Sequence, residues 1–194
     1  PMQPSVQIMT CHHCGSNNEA VKVVVGKGNP NADLMMIGEA PGAKENDQET
    51  PFVGRSGKLL NQLLIHAGIK IEDAYFCNVI KCRPVNNKKP NKKEIELSLP
   101  WLFQQIKLVN PTIIILIGST ALHAILEKKD GIKSLRGTWH NWNKSLVMPV
   151  FHPAYLLRNP SKEKGAPLDL TKRDLIKIHN QLISAESVQN MPVL

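Results

Sequence analysis

The sequence lacks an apolar run of the roughly 18 residues that a membrane-spanning helix requires. It also lacks a basic segment leading into an apolar stretch near its start, as a secretory signal would have. These absences predict a soluble, cytoplasmic protein that uses no membrane. With 194 residues, 42% of them apolar, the chain suits one compact domain over residues 1–194, since a domain usually takes about 100–200 residues. We expect residues 1–10 to be a loose lead-in.

Acidic residues are scarce relative to basic ones. The chain has 16 Asp and Glu against 24 Lys and Arg, for a net charge of +8. A basic balance of this kind favours association with a polyanion such as DNA or RNA, although an indifferent basic surface would carry the same charge. Much of the excess lies in two stretches, 81–93 and 158–173.

Cysteine is rare, with four residues in the chain. Cys11 and Cys14 form a Cys-x-x-Cys pair, and Cys77 and Cys82 lie far downstream. Without a secretion signal, such a pair indicates metal or redox chemistry rather than a structural disulfide. Since the pair does not follow a βαβ pattern, a thioredoxin-like role is disfavoured. The pair supplies only two ligands, so a metal site needs others from elsewhere in the chain.

Two common enzyme motifs are incomplete. Gly57-Lys58 resembles the end of a phosphate-binding P-loop, but Leu59 stands where Ser or Thr is required and Phe52 where the first glycine should be. The segment that starts at Gly54 would be a nucleophile elbow only if its last residue, Lys58, were glycine. The sequence therefore supports neither nucleotide hydrolysis nor esterase chemistry.

Apolar runs alternate with helical patterns, as βαβ units require. The predicted strands are 34–38, 75–80, 112–118 and 146–151, and the third is the β-branched type that parallel sheets bury on both faces. The predicted helices are 56–68, 92–109, 119–128 and 168–185, and Pro100 is expected to kink or break the second. This order predicts an α/β protein: a three-layer α/β/α sandwich around a mostly parallel, four-stranded sheet.

Three segments place reactive or aromatic side chains beside strand-like runs. Glu39 follows the first run in a Gly/Pro turn, Phe52 lies ten residues after that turn, and His152 follows the last run. Taken alone, each has an ordinary explanation: a solvated carboxylate, a core ring, and a packed or capping histidine. Open α/β folds bind ligands at the carboxyl ends of their strands. The repetition therefore favours one site over coincidence.

Four segments, in order, resemble the family 4 uracil-DNA glycosylases, the iron–sulfur class of bacteria and archaea, over nearly the whole chain. They are residues 38–42 (GEAPG), 51–60 (PFVGRSGKLL), 78–84 (NVIKCRP) and 152–160 (HPAYLLRNP). The resemblance implies a monomeric enzyme of the nucleoid that hydrolyses the N-glycosidic bond of uracil in single- and double-stranded DNA. It would release uracil and leave an abasic site for base excision repair.

The resemblance also implies how the base is bound. A glycosylase takes its base out of the duplex, covers its face with an aromatic ring and reads its Watson–Crick edge. Phe52 would be that ring. Asn78, whose amide both donates and accepts, would read uracil O4 and N3–H. Gly38, Ala40 and Gly42 would line the same base site.

Two residues would carry the chemistry by the same resemblance. Breaking the glycosidic bond leaves negative charge on uracil, and His152 would donate a hydrogen bond to uracil O2 to stabilise it. Glu39 would position or deprotonate the attacking water and favour the cationic sugar. A role for Glu39 confined to buttressing its loop remains open.

Residues 154–158 would form the wedge that fills the space left by the flipped nucleotide. Leu156 is the expected apolar plug, because such wedges are commonly apolar, with Arg158 on a phosphate or in the groove. The rival interpretation is a helix start with Leu156 and Leu157 in the core. Lys81 and Arg83, from the basic stretch, would contact DNA as well.

The cluster ligands are where the chain departs from its family. The family's four cysteine positions correspond to residues 11, 14, 82 and 98 of this chain. The first three are cysteines here, but the fourth is Ser98. Thiolates are the usual ligands of a [4Fe–4S] cluster, and a serine binds less readily. The resemblance still implies a cluster, because three of the four thiols remain.

Other residues offer themselves as the fourth ligand. Cys77 lies five residues before Cys82, an offset that points to the opposite face of a regular strand. His12 and His13 are further alternatives.

Two other functions are open. A nucleic-acid-binding protein that keeps the fold without catalysis would suit Ser98, although intact Glu39, Asn78 and His152 argue against it. A related glycosylase that traps the abasic sugar covalently would need an extra basic loop with a histidine, and the sequence has no such insertion.

Overall fold

A computed structural model of the protein describes residues 22–189. Within that range, six strands form one sheet in the order β1-β3-β2-β4-β6-β5. The strands are β1 (Lys27–Gly28), β2 (Leu34–Gly38), β3 (Ala74–Asn78), β4 (Ile113–Ile117), β5 (His140–Trp142) and β6 (Ser145–Val150). Residues 1–10, expected as a loose lead-in, lie outside the described range.

The four inner strands are parallel and are the four that the sequence predicts. The predicted number of strands is nevertheless wrong, because β1 pairs antiparallel with β3 and β5 pairs antiparallel with β6 at the two edges. Edge strands of two and three residues are too short to show a periodicity of their own.

The helices cover both faces of the sheet. They are α1 (Ala43–Gln48), α2 (Arg55–His66), α3 (Lys92–Val109), α4 (Ser119–Leu126), α5 (Ile132–Leu135), α6 (Pro153–Arg158) and α7 (Pro167–Gln189). Short 3₁₀ turns lie at Ile71–Asp73 and Val85–Asn87. No helix in residues 22–189 is long and apolar enough to cross a membrane.

The core lies in two layers, one on each side of the sheet, because successive strand residues face opposite sides. One layer joins the strands to α2 and α7 and includes Met36, Phe76, Ile115, Met148, Leu60, Leu64, Leu175 and Ile178. The other joins them to α3 and α4 and includes Met35, Cys77, Ile114, Val147, Leu102, Ile106, Ala121 and Ile125. The predicted three-layer α/β/α sandwich is confirmed.

Helix α3 continues through Pro100, although the sequence led us to expect a kink or a break there. It starts with a capping box, in which Asn91 Oδ1 accepts from the Glu94 backbone N–H and Glu94 accepts from the Asn91 backbone N–H. Pro100 and Glu96, whose carbonyl loses its helical partner, are both exposed. Water can satisfy that carbonyl, so the helix tolerates the proline.

A buried ion pair ties α7 to the loop that follows α5. Asp174 is completely buried, and its carboxylate accepts from Arg136 Nε at 2.7 Å and from Arg136 Nη2. The Arg136 guanidinium also lies over the Phe151 ring, 5.9 Å from its centroid. Phe151 immediately precedes His152, so the pair anchors α7 close to the last predicted site residue.

Replacing Asp174 by Ala should lower the free energy of unfolding by about 3–5 kcal/mol, because it leaves the Arg136 charge buried without its partner. Urea denaturation measures the loss. Glu96→Ala is the matched control, since Glu96 pairs with Lys92 on the surface at 3.6 Å. Equal losses in the two variants would contradict the importance of the buried pair.

Candidate active site

A cavity of about 840 Å³ opens where the four parallel strands end. Its wall includes Asn78, the last residue of β3, together with three residues that closely follow the other parallel strands: Glu39 after β2, Gly118 after β4 and His152 after β6. The predicted site residues that line it are Glu39, Ala40, Gly42, Phe52, Asn78, His152 and Arg158. The strand ends thus bring together segments that lie more than one hundred residues apart in the sequence.

Gly38 does not line the cavity but allows its floor to form. Gly38 and Asn78 are register partners in the parallel pairing of β2 with β3. A Cβ at Gly38 would lie 2.5 Å from Asn78 Oδ1 and 2.7 Å from Phe52 Cζ, closer than real Cβ contacts. Only glycine therefore lets the amide and the ring converge on the end of β2.

Phe52 combines the two roles that its sequence context left open. Its side chain is 7% exposed and packs edge-on against Phe76, with ring centroids 5.9 Å apart. The same residue also lines the cavity. The ring is therefore held by the core while it remains part of the cavity wall.

Glu39 has a partner that the sequence did not reveal. Its Oε2 accepts a hydrogen bond from the Thr120 hydroxyl, at the start of α4. Thr120 is buried, so this hydrogen bond fixes the carboxylate from the protein side. The only signal in the sequence is that Thr120 closely follows the β4 apolar run, which does not identify its partner.

His152 is the N-cap of α6, and this fixes the proton on its ring. Its Nδ1 accepts from the Ala154 backbone N–H at 3.1 Å, so the proton of the neutral ring must lie on Nε2. Burial lowers the pKa of His152, while the Glu39 carboxylate raises it less strongly. The site therefore favours a neutral imidazole with Nε2–H as its donor.

Lys81 is buried and does not occupy the DNA-contacting position that we expected. Its ammonium donates to the Asn78 backbone carbonyl at 2.6 Å and to Gln105 Oε1. Burial lowers the pKa of Lys81, and the neighbouring Cys77 opposes the shift. The residue serves the core just behind Asn78, because the chain after β3 turns this side chain inward.

Leu156 is also in the core, at 2% exposure, so it lacks the exposed position that a wedge needs. The neighbouring Leu157 is 39% exposed. In a helix, adjacent residues point about 100° apart, so the two leucines cannot share a face. A helix of six residues is too short for its apolar pattern to identify the buried face.

Basic side chains surround the cavity. Arg158, expected to contact DNA, lines the cavity, whereas Arg83 does not and instead donates from Nε to Asn87 Oδ1 at 2.8 Å. The basic residues that line the cavity are Lys44, Arg55, Lys88, Lys89, Lys133 and Arg158, called the basic rim below. Lys44, Arg55 and Lys133 lie outside the two basic stretches, 81–93 and 158–173.

The predicted metal ligands are only partly within the described residues. Cys11, Cys14 and the alternatives His12 and His13 lie outside them. Cys82 is 4% exposed, and Ser98 is 9% exposed on the inner face of α3. No group of three or more His, Cys, Asp or Glu side chains in residues 22–189 is placed to bind a metal.

Val23, near the start of the described residues, forms an antiparallel β-bridge with Cys82. The Val24 backbone N–H also donates to the Lys81 carbonyl at 2.7 Å. Cys77 is fully buried in the core layer under α3 and α4, and burial raises the pKa of its thiol.

This chain is similar to known proteins over most of its length. Residues 25–176 match the model of the uracil DNA glycosylase superfamily. The chain is 42% identical over 161 residues to the type-4 uracil-DNA glycosylase of Thermotoga maritima, covering 82% of this chain and 84% of the relative. It is 37% identical over 175 residues to that of Saccharolobus solfataricus, covering 86% and 81%.

A third relative, the type-4 uracil-DNA glycosylase of Archaeoglobus fulgidus, is 34% identical over 174 residues, which cover 86% of this chain and 87% of the relative. Each comparison spans both the Glu39 turn and the last strand of the sheet. The chain therefore belongs to the uracil-DNA glycosylase superfamily, and within it to the type-4 family.

Proposed function

We propose that this protein hydrolyses the N-glycosidic bond of uracil in DNA, releases uracil and leaves an abasic site for base excision repair. The observation that carries the proposal is the convergence of Glu39, Phe52, Asn78 and His152 on one cavity at the strand ends. Relatives named type-4 uracil-DNA glycosylase support the same reaction.

The flipped base lies against Phe52, with its Watson–Crick edge toward Asn78. A cavity of about 840 Å³ is within the usual range for a small-molecule site and has room for a base with its sugar. The Asn78 amide offers one donor for O4 and one acceptor for N3–H, the pattern that distinguishes uracil from cytosine. Lys81 and the paired strands hold the Asn78 backbone in place.

Bond cleavage sends the electron pair of the C1′–N1 bond onto uracil. His152 Nε2–H donates to O2, where the negative charge develops, and stabilises it without a full proton transfer. A lowered pKa keeps the ring neutral near pH 7. Nδ1 is then free to accept from Ala154, which fixes the direction of the donor.

Whereas His152 acts on the uracil, Glu39 acts at the sugar. Its carboxylate, fixed by Thr120, positions the water that attacks C1′ and accepts a proton as the new bond forms. Its negative charge also favours the cationic character of the sugar in the transition state.

DNA is held by the basic rim, whose exposed cations line the cavity. Leu157, on α6 beside Arg158, has the exposure that a wedge into the base stack requires. One chain supplies every residue in this arrangement, so the protein acts as a monomer on single- and double-stranded DNA. Its substrate places it in the nucleoid of the cytoplasm.

A [4Fe–4S] cluster would be held by Cys11, Cys14 and Cys82, with Ser98 at the fourth position. The β-bridge between Val23 and the buried Cys82 supports this ligand set, because Val23 follows Cys14 by only nine residues in the sequence. When bound, the cluster supplies a structural cross-link, since hydrolysis of a glycosidic bond requires no electron transfer.

The direct test is incubation with a uracil-containing oligonucleotide followed by alkaline cleavage at abasic sites. Strand scission should be faster for single strands and for U·G pairs than for U·A, because a mismatched or unpaired base costs less to extrude. A thymine-containing strand is the control. No scission of any uracil substrate would refute the proposed function.

Replacing His152 by Ala should lower the single-turnover excision rate by about a hundred- to a thousand-fold, with little change in DNA affinity. The reason is that the lost hydrogen bond is made to charge that exists only in the transition state. His66→Ala is the control, because His66 is exposed at the end of α2. A variant that mainly loses DNA affinity would place His152 in the DNA-binding surface instead.

Replacing Ser98 by Cys should protect the cluster against oxygen and chelators, because a fourth thiolate is a better ligand than a hydroxyl. Anaerobic purification, iron and sulfide analysis and visible absorption measure occupancy over time. Equal loss from the two proteins would show that Ser98 is not at the cluster. One equivalent of zinc in place of iron would instead indicate a tetrahedral site formed by the three cysteines and a histidine.

A further inference from the structure

Phe52 is held in an unusual backbone conformation. Its φ is +56°, in the left-handed region that an aromatic residue rarely adopts. Such conformations persist only where surrounding contacts determine them, and they are frequent at functional sites. Some part of the structure must therefore hold this segment so that the ring faces both Phe76 and the cavity.

The Glu45 carboxylate makes the contacts that this requires. Glu45 lies in the first turn of α1, and its Oε1 accepts from the Val53 backbone N–H at 3.1 Å and from the Gly54 backbone N–H at 2.8 Å. These are the two peptide groups that directly follow Phe52. A carboxylate that accepts from two consecutive N–H groups fixes the orientation of both peptides.

The carboxylate fits between two glycines. A Cβ at Gly42 would lie 2.9 Å from Glu45 Oε2, and a Cβ at Gly54 would lie 3.0 Å from Oε1. Both distances are shorter than ordinary contacts, so glycine at each position makes room for the carboxylate. Gly42 also ends the turn that carries Glu39, which places Glu45 between the Glu39 turn and the Phe52 segment.

A second contact restrains Phe52 from the other side. A Cβ at Gly57, in the first turn of α2, would lie 2.0 Å from the Phe52 carbonyl oxygen. The Phe52 backbone therefore rests against α2 while the next two peptides are tied to α1. The left-handed turn is enclosed between two helix starts.

The geometry points to Glu45 as a positioning residue for base recognition: it holds the left-handed Phe52 turn so that the ring forms the platform on which uracil stacks. This inference rests on the proposed function. Although Glu45 also lines the cavity, in this role it acts through the Val53 and Gly54 amides and not by contact with the base or the sugar. Neither its sequence context nor its helix position distinguishes it from an ordinary surface glutamate.

The test compares Glu45→Ala with Glu45→Gln. Glutamine keeps a side-chain oxygen that accepts from both amides, whereas alanine removes it. Glu45→Ala should weaken inhibition by free uracil and lower kcat/KM about tenfold or more, the usual consequence of leaving two backbone N–H donors without their acceptor. Glu45→Gln should retain most of both. Asp47→Ala is the control, since it removes an exposed carboxylate from the same helix.

Two further measurements separate positioning from general stability. Hydrogen exchange of the Val53 and Gly54 amides should be faster in Glu45→Ala while the melting temperature stays close to that of the wild type. In a Phe52→Ala background, Glu45→Ala should add little to the loss of kcat/KM, because two residues that act through one ring are not additive.

Several results would overturn the inference. Unchanged exchange at Val53 and Gly54 would do so even if the wild type proved inactive on uracil, in which case the proposed function would fail separately. An active wild type with unaltered uracil inhibition in Glu45→Ala would also overturn it. A loss in Glu45→Gln equal to that in Glu45→Ala would mean that the charge acts on the substrate directly.

Discussion

The parallel pairing of four buried strands is the constraint on which the site depends. Gly38 is in register with Asn78, and Ile117 is in register with Val150, so all four strands end at one edge. The pairing continues just past the strands, where the Ile80 backbone N–H donates to the Glu39 carbonyl at 3.0 Å and the Gly118 backbone N–H to the Val150 carbonyl at 2.9 Å. The site residues thus begin from backbone that the sheet still holds.

Buried polar side chains behind the strand ends make this edge of the sheet rigid, although removing them from water costs free energy. The Lys81 ammonium is held by Asn78 and Gln105, and Gln105 Nε2 donates to the Val25 carbonyl at 2.8 Å. Such a network stabilises the fold only when every member is satisfied. Removing Gln105 would leave the buried Lys81 ammonium without one of its acceptors. Because the other acceptor is the Asn78 backbone carbonyl, the network also holds the residue that carries the Asn78 amide in place.

The sequence predicted the inner strands and long helices because each has its own apolar pattern. It did not predict features that depend on contacts between distant residues. The edge strands β1 and β5 are too short to show a pattern. Lys81 lies in a basic stretch of the sequence, and only the fold shows that the chain after β3 turns its side chain inward. Leu156 and Leu157 are equivalent in sequence, and only the packing of α6 separates them. Thr120 is 81 residues from its partner Glu39, a contact that no local pattern encodes.

The placement of the candidate site was easier to predict than its supporting residues. Glu39 and His152 follow apolar runs, so the rule for strand ends groups them without a structure, whereas Asn78 was predicted from the family resemblance. Glu45 is different, because its importance comes from the left-handed turn at Phe52, and an aromatic residue gives no sequence signal of that conformation.

The most direct measurement is a crystal structure of the protein with uracil bound. The account predicts the uracil ring stacked on Phe52, with the Asn78 amide on O4 and N3–H and His152 Nε2 within hydrogen-bonding distance of O2. Uracil bound away from Phe52, or with O2 turned from His152, would contradict it.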